Sequence, residues 1–414
     1  MNRSFFNNWN LFKKYENKNI ILNFGPQHPA AHGVLRLILQ LEGEIIQRTD
    51  IHIGLLHRGS ESLVETKHYE KSIPYFDRMD YCSMLTQEHS FVLAIENLMG
   101  ITGISQQTNL VRILFDELTR LLNHFLAIAC HALDIGSMSS IFWGFEEREK
   151  LMEFYERVSG ARMHAAFHKP LQLFSNQLTP ALIQDILWFV SNCFTTLNEM
   201  HNTLTYNKIW KQRLVNIGVL SPELCQSFNL TGVMSRSAGI KKDLRISTVD
   251  SYSGYNTLLF KSYTGINGDC FDRYLIRMLE MSESLHIISA SCAKLFKNPI
   301  KTNQNVTTLW ETYYIRPKTV STYTSMEDVI NHFLHWHTGI KINKNINASF
   351  IESPKGEFGV TLLGNNTTKP GKCKVKSPSY YNLQALPHLS KGHFLADIAA
   401  LIGTIDIVFG EVDR

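Results

Sequence analysis

Two histidines stand four apart in the run Gly25-Pro26-Gln27-His28-Pro29-Ala30-Ala31-His32-Gly33. That spacing would put two metal ligands on one face of a helix. Pro29 and Gly33 deny the helix, and no cysteine or carboxylate stands nearby to complete a ligand set. What remains is a shaped loop with two imidazoles, either a solvated turn or a device that brings proton donors to a ligand. Tyr75-Phe76-Asp77-Arg78-Met79-Asp80-Tyr81 gathers charge and phenols ahead of an apolar helix, where a capped, solvated helix start is the plainer reading. His164, in Gly160-Ala161-Arg162-Met163-His164, suits a satisfied core histidine equally well. Asp134 closes a long apolar helix, where a carboxylate opposes the helix dipole and so asks for a specific partner. His332, His335 and His337 imitate a ligand triplet but fit the surface of an amphipathic helix end. By type and spacing alone, none of these groups names a reaction.

The elements that must position them can be read from periodicity. Ile20–Phe24, Val34–Leu41 and Ile45–Ile53 alternate or cluster β-formers around the turn Glu42-Gly43-Glu44, so the chain opens as a small antiparallel sheet with the histidine loop between its first strands. From about Ile53 to Asn298 the period is helical. Its clearest stretch has Leu110, Ile113, Leu114, Leu118, Leu121, Leu122, Phe125, Ile128 and Leu133 on one face. Further helices are expected near Met84–Met99, Glu147–Val158, Ala181–Leu204 and Phe271–Phe296. Long helices in series imply a bundle, with sites on its inward faces or ends. Short strands return at Ala348–Glu352, Gly359–Leu363 and Lys372–Val375, before a last helix, Phe394–Ile402. The expected fold is α+β in three parts: an N-terminal sheet with the histidine loop (1–53), a helical bundle (54–340), and C-terminal strands, a helix and a tail (341–414).

A chain of 414 residues with 44% hydrophobic residues can bury a large core, while 19% charged is low for a freely soluble enzyme and suggests a surface covered by partners. A net charge of +4 without a basic, aromatic stripe speaks against nucleic acid. Seven dispersed cysteines, none spaced C-x-x-C, fit a reducing compartment and speak against both a disulfide framework and an iron–sulfur cluster ligated by this chain. No apolar run reaches the ~18 residues that would suggest a membrane span. The N-terminus lacks the apolar core of a secretory signal. An Asn-, Lys- and Ile-rich chain of this kind reads as one made inside its own compartment, organellar or bacterial.

The string NFGPQHPAAHGVLRL (Asn23–Leu37) resembles the start of the forty-nine-kilodalton subunit family of respiratory complex I. The resemblance runs on through LLHRGSE, YFDRMDY, HALDIGSM, FEEREK, SGARMHAA, NGDCFDRY, PKGEFGV and LQALPHLSKGHFLADI to the ending DIVFGEVDR, in the family's order. It departs from the family at Phe167-His168-Lys169-Pro170-Leu171, where an Arg-Pro-Gly-Gly turn is usual, and over Thr248–Gly265.

The resemblance implies a quinone headgroup between His32 and Tyr81, on a loop that also carries His28, with Asp134 as the carboxylate paired with His32. It places Arg58, Arg78 and His164 toward a four-iron four-sulfur cluster held by an adjacent subunit. Ubiquinone is then the substrate, and the chain has no cofactor of its own. The implied partners are that cluster-bearing subunit, the thirty-kilodalton subunit, and membrane subunit 1 at the quinone channel. The implied location is the matrix-facing arm at the mitochondrial inner membrane, or the cytoplasmic face of a bacterial membrane as the alternative.

The family in turn is similar to nickel–iron hydrogenase large subunits, which implies a tail buried in the bundle. Asp80, Ser83, Val408 and Glu411 stand where that family has metal-binding cysteines, so nickel chemistry loses its thiolate ligands. An active hydrogenase subunit and a purely structural subunit are the competing functions. A nickel analysis would identify the first, and quinone reduction unaffected by a Tyr81 substitution would favour the second.

Overall fold

The structure, a computed structural model, describes residues 20–101, 104–170, 178–247, 251–297 and 325–414. It is a mixed helix-and-sheet protein, and the described residues form two separate three-stranded antiparallel sheets. In the first, β1 (Ile20–Phe24), β2 (Arg36–Glu42) and β3 (Ile45–His52) lie in chain order, with Leu22 opposite Leu39 and Leu37 opposite Ile51. Strand alternation sends Leu35, Leu37, Leu39, Leu41 and Ile46 into the core, and the register shifts by a bulge at Gln40/Leu41. The second sheet, β4 (Ile346–Ser353), β5 (Gly356–Leu363) and β6 (Lys372–Lys376), packs on helix α1 (Met84–Leu98).

Four long helices make the body: α2 (Gln106–Ile135), α3 (Ser139–Ser159), α4 (Pro180–Thr205) and α5 (Cys270–Lys297). Helix α2 packs against α3 and α5, and α4 against both of those. Its start is fixed by Ser105, whose side chain accepts the Thr108 N–H at 3.1 Å. Its end is fixed by Gly136 in the left-handed region, with the Ser137 N–H returning to the Ala132 carbonyl at 2.8 Å. The expected apolar face of α2 is buried from Leu110 to Ile128, whereas Leu133 is exposed although its neighbours His131 and Ala132 are buried, because it points away from the packed side of that turn.

The helix expected at Phe394–Ile402 begins and ends later, as α6 (Asp397–Ile405). The chain then turns through Asp406, in the left-handed region, into the short helix Phe409–Asp413. This tail is buried. Asp413 explains part of its anchoring: its carboxylate accepts the Gly54 and Leu56 N–H groups at 2.9 and 2.8 Å, and Arg414 pairs with Glu61 at 3.3 Å. One hydrophobic cluster takes residues from the first sheet, the long helices and the tail, so the three stretches read from the sequence share a core.

Candidate active site

The histidine loop folds around a 3-10 turn, Pro29–Ala31, with His28 at its N-cap and His32 at its C-cap. Gly25 is required where the loop leaves β1. Its φ is +79°, and a Cβ there would sit 2.1 Å from the Leu35 carbonyl oxygen. His28 and His32 are then sent to different surroundings. The Nδ1 of His28 accepts the Ala30 N–H at 3.2 Å, and its ring lies 4.2 Å from that of Phe24. It borders a cleft of about 840 Å³ that is lined also by Gly25, Pro26, Gln27 and Leu395 but by neither His32 nor Tyr81. His32, exposed on its outer side and itself in the left-handed region, faces the Phe409 ring of the tail at 6.0 Å.

Tyr81 sits on the turn that precedes α1, partly exposed. Asp80 holds that turn from within. One carboxylate oxygen accepts the Cys82 N–H at 3.1 Å and the other accepts the Ser83 hydroxyl. The tail passes directly beside it. A Cβ on Gly410 would lie 2.5 Å from the Met79 carbonyl oxygen, so only glycine lets the two backbones approach this closely. Arg58 bridges the same junction, donating to the Arg78 carbonyl at 2.8 Å and to the Gly410 carbonyl at 3.3 Å. The Tyr81 turn and the His32 loop therefore both rest on the Phe409–Gly410 segment.

Beneath them lies a buried group of charges that sequence reasoning missed. Lys355, at the tip of the β4–β5 hairpin, is fully buried, with its Nζ 3.5 Å from both Asp80 and Asp406 and donating to Asn123. Burial alone would favour the neutral amine, but Asp406 and Asp80 hold it firmly charged. In return, the Lys355 and Arg277 cations overcome the burial of Asp406 and keep its carboxyl below the ordinary range. Glu411 accepts the Ser379 hydroxyl at 2.6 Å; burial and the neighbouring Asp80 push its carboxyl up to about 8. A lysine in a hairpin turn normally points to solvent, so no local signal separates Lys355 from any other turn lysine.

Both exposed groups respond to this buried charge. Burial and the Lys355 cation lower the proton affinity of His32, against the opposing pull of Asp406. The Tyr81 phenol is raised by burial, Cys82 and Asp80, with Lys355 and Arg58 working the other way. Asp134, half-buried at the end of α2, has its carboxyl raised to about 6 by burial. A Cβ on Gly403 of α6 would lie 3.5 Å from its Oδ2. The acid whose field bears on His32 is Asp406. His164 is half-buried, with its proton affinity lowered by burial and by Arg78 against the opposing pull of Asp77. Arg78 is exposed and donates to the Pro74 carbonyl at 3.0 Å.

Among the described residues, no group of three or more His, Cys, Asp or Glu could hold a metal ion. His337 is exposed, and the side chains of His332 and His335 lie outside the described set. The arrangement suits a ligand that gains negative charge. It offers an imidazole and a phenol as donors, a buried cation behind them, and a carboxyl that titrates near neutrality.

The chain is similar over almost its whole length to a set of known proteins. The family model described as "Respiratory-chain NADH dehydrogenase, 49 Kd subunit" matches residues 134–414. The NADH-ubiquinone oxidoreductase 49 kDa subunit of Paramecium tetraurelia is 61% identical over 399 residues, covering 96% of this chain and all of the relative. The protein of the same name from Cafeteria roenbergensis is 48% identical, covering 97% of this chain and 98% of its own. The one from Reclinomonas americana is also 48% identical, covering 96% and 98%.

Proposed function

The chain belongs to the 49 kDa subunit family of respiratory-chain NADH dehydrogenase, and from that premise we propose that it forms the quinone headgroup pocket of complex I. As a subunit of that oxidoreductase it works within an assembly. In this reading ubiquinone is the substrate, and its two carbonyl oxygens meet His32 and Tyr81. Reduction adds two electrons and two protons, forming one O–H bond on each oxygen. Each developing oxyanion needs a positioned donor, and each of these side chains has an N–H or O–H to give. Asp134, with a carboxyl near 6, serves as a secondary proton carrier behind the pocket. The electrons arrive from a four-iron four-sulfur cluster held by the adjacent subunit, toward which Arg58, Arg78 and His164 face. Positive charge there favours the reduced cluster.

The observation that carries the reading is the meeting of the Tyr81 turn and the His32 loop on one buried tail, over one buried cation. The exposed Met138 at the α2–α3 turn, with Phe142, Trp143 and Phe145 on the first two turns of α3, supports a partner-covered face there. The partners are the cluster-bearing subunit, the thirty-kilodalton subunit and membrane subunit 1. Among the described residues no helix is long and apolar enough to cross a membrane. The proposed place is the peripheral arm, on the matrix side of the mitochondrial inner membrane.

A photoreactive ubiquinone in the purified complex tests the pocket. Labelled peptides should fall within 25–33 or 75–84, and excess ubiquinone should compete. Competed labelling confined to other subunits would reject it.

A further inference from the structure

One ammonium group stitches the two halves of this pocket together. Lys355 enters from the β4–β5 hairpin and meets Asp80, which clamps the Tyr81 turn, and Asp406, which leads into the tail facing His32. Asn123 of α2 holds it from a third side, and the Asn382 side chain fixes its backbone carbonyl at 3.2 Å. Cys82 and Glu411 complete the titratable groups around it, while Arg277 and His124 bear on Asp406 and Arg58 bears on Tyr81. Two carboxylates around one ammonium leave the cluster sensitive to the loss of either sign. A small ion pair of this kind is a costly way to fill a core. Packing alone does not call for a lysine at the tip of a buried hairpin.

We propose that Lys355 is the positioning charge of the quinone pocket, a fixed cation that opposes protonation of His32 until reduction brings negative charge to the ring. Asp406 is its counterweight. Together they set the point at which the imidazole changes from a neutral hydrogen-bonding group to a charged one, and the cation then offsets the anionic ring on the Tyr81 side. The inference rests on the quinone-pocket reading above.

The two charges act on His32 with opposite signs, so their removal should move its titration in opposite directions. The measurement is the pH profile of NADH:ubiquinone reductase activity in assembled complex, followed on the limb that His32→Ala removes. Lys355→Met leaves Asp406 unopposed and should move that limb to higher pH. Asp406→Asn leaves the ammonium unopposed and should move it to lower pH. Lys355→Arg should keep its position. If Lys355→Met does not assemble, the double variant Lys355→Met/Asp406→Asn, which removes both charges, is compared with Asp406→Asn; the two differ only in the cation, and the double variant should titrate higher. NADH oxidation by an artificial acceptor should be the same in all of them.

Shifts in the same direction, or none, would overturn the role of Lys355 if Tyr81→Phe still abolished quinone reduction. If Tyr81→Phe also left quinone reduction intact, the pocket reading beneath it would fall instead.

Discussion

At His32 the residue type says only that a proton can be exchanged near neutrality; its neighbours decide when. Those neighbours come from stretches more than 300 residues away, and no local pattern joins them. Resemblance singled out His32, Tyr81 and Asp134 in the sequence and paired His32 with Asp134; Asp406, whose field also bears on His32, was not legible there. The two acids are told apart by their surroundings. Asp406 is held ionised by Lys355 and Arg277, whereas Asp134 is raised to about 6 by burial. The sign of the linkage follows. Between the ordinary carboxylate range and about pH 6 the folded chain keeps a proton on Asp134 that an unfolded chain has released, so the stability cost of burying this acid is absent below that range, grows as pH rises through it and is complete above about 6. Asp134→Asn should therefore erase a descending limb of turnover near pH 6, and should lower kcat more than it raises KM; a limb that persists near 6 would assign it to another acid. At His164 and Arg78 the readout is a potential. Neutral replacements at these positions should lower the midpoint of the partner's cluster or change its pH dependence, as redox titration followed by electron paramagnetic resonance would show. An unchanged midpoint in both variants would remove these residues from its surroundings.

At the scale of elements, periodicity and runs of β-formers were enough to find the long helices and both sheets, the helices through an apolar face that repeats over several turns. Where the sequence reading ran short, packing had set the limit: Leu133 points away from the packed side of the last turn of α2, α3 starts at Ser139, well before the expected Glu147, and α6 starts at Asp397. The β4–β5 hairpin was legible as two strands, while the burial of its tip was not, since that depends on α2 and the tail closing over Lys355. The burial of the tail came from the resemblance and from no property of its own residues. Its junction with the Tyr81 turn is close enough to test. Gly410→Ala puts a Cβ against the Met79 carbonyl, so the tail or the turn must move. Such overpacking costs about 1–3 kcal/mol. The assembled complex should show a lower thermal midpoint and a larger loss of quinone reduction than of artificial-acceptor activity. A variant equal to wild type in both would mean that this contact does not position Tyr81.

Seen whole, the molecule has its charge in two places, scattered over the surface and concentrated in the core. Arg236 pairs with Glu280 and Glu352 at 2.6 and 2.7 Å, and Arg245 with Asp243 and Glu117 at 2.8 and 3.1 Å, all buried. Arg236 thereby joins α5 to the second sheet through Glu280 and Glu352, and Arg245 ties its own loop to α2 through Glu117. Apart from Arg245 and Asp243, which are two residues apart, the partners come from separate elements of the fold and leave no trace in local patterning. The low overall charge, by contrast, was visible in the composition and agrees with the exposed aromatic residues on the first turns of α3. Phe142→Glu there puts a charge where a partner is proposed to pack. It should lower the amount of assembled complex on native gels several-fold while leaving the chain itself soluble; unchanged assembly would place this face outside any interface.

The pocket itself is tested most directly by one substitution. Tyr81→Phe keeps the ring and removes the phenol, and losing one positioned donor to a developing oxyanion costs about 10²–10³ in turnover. NADH:ubiquinone reductase and NADH:artificial-acceptor activities are to be measured on the same assembled complex. Quinone reduction should fall by that factor while electron entry to the artificial acceptor stays at the wild-type rate. If the two activities fall together, or if neither falls, Tyr81 does not donate to the quinone and the assignment of the pocket is wrong.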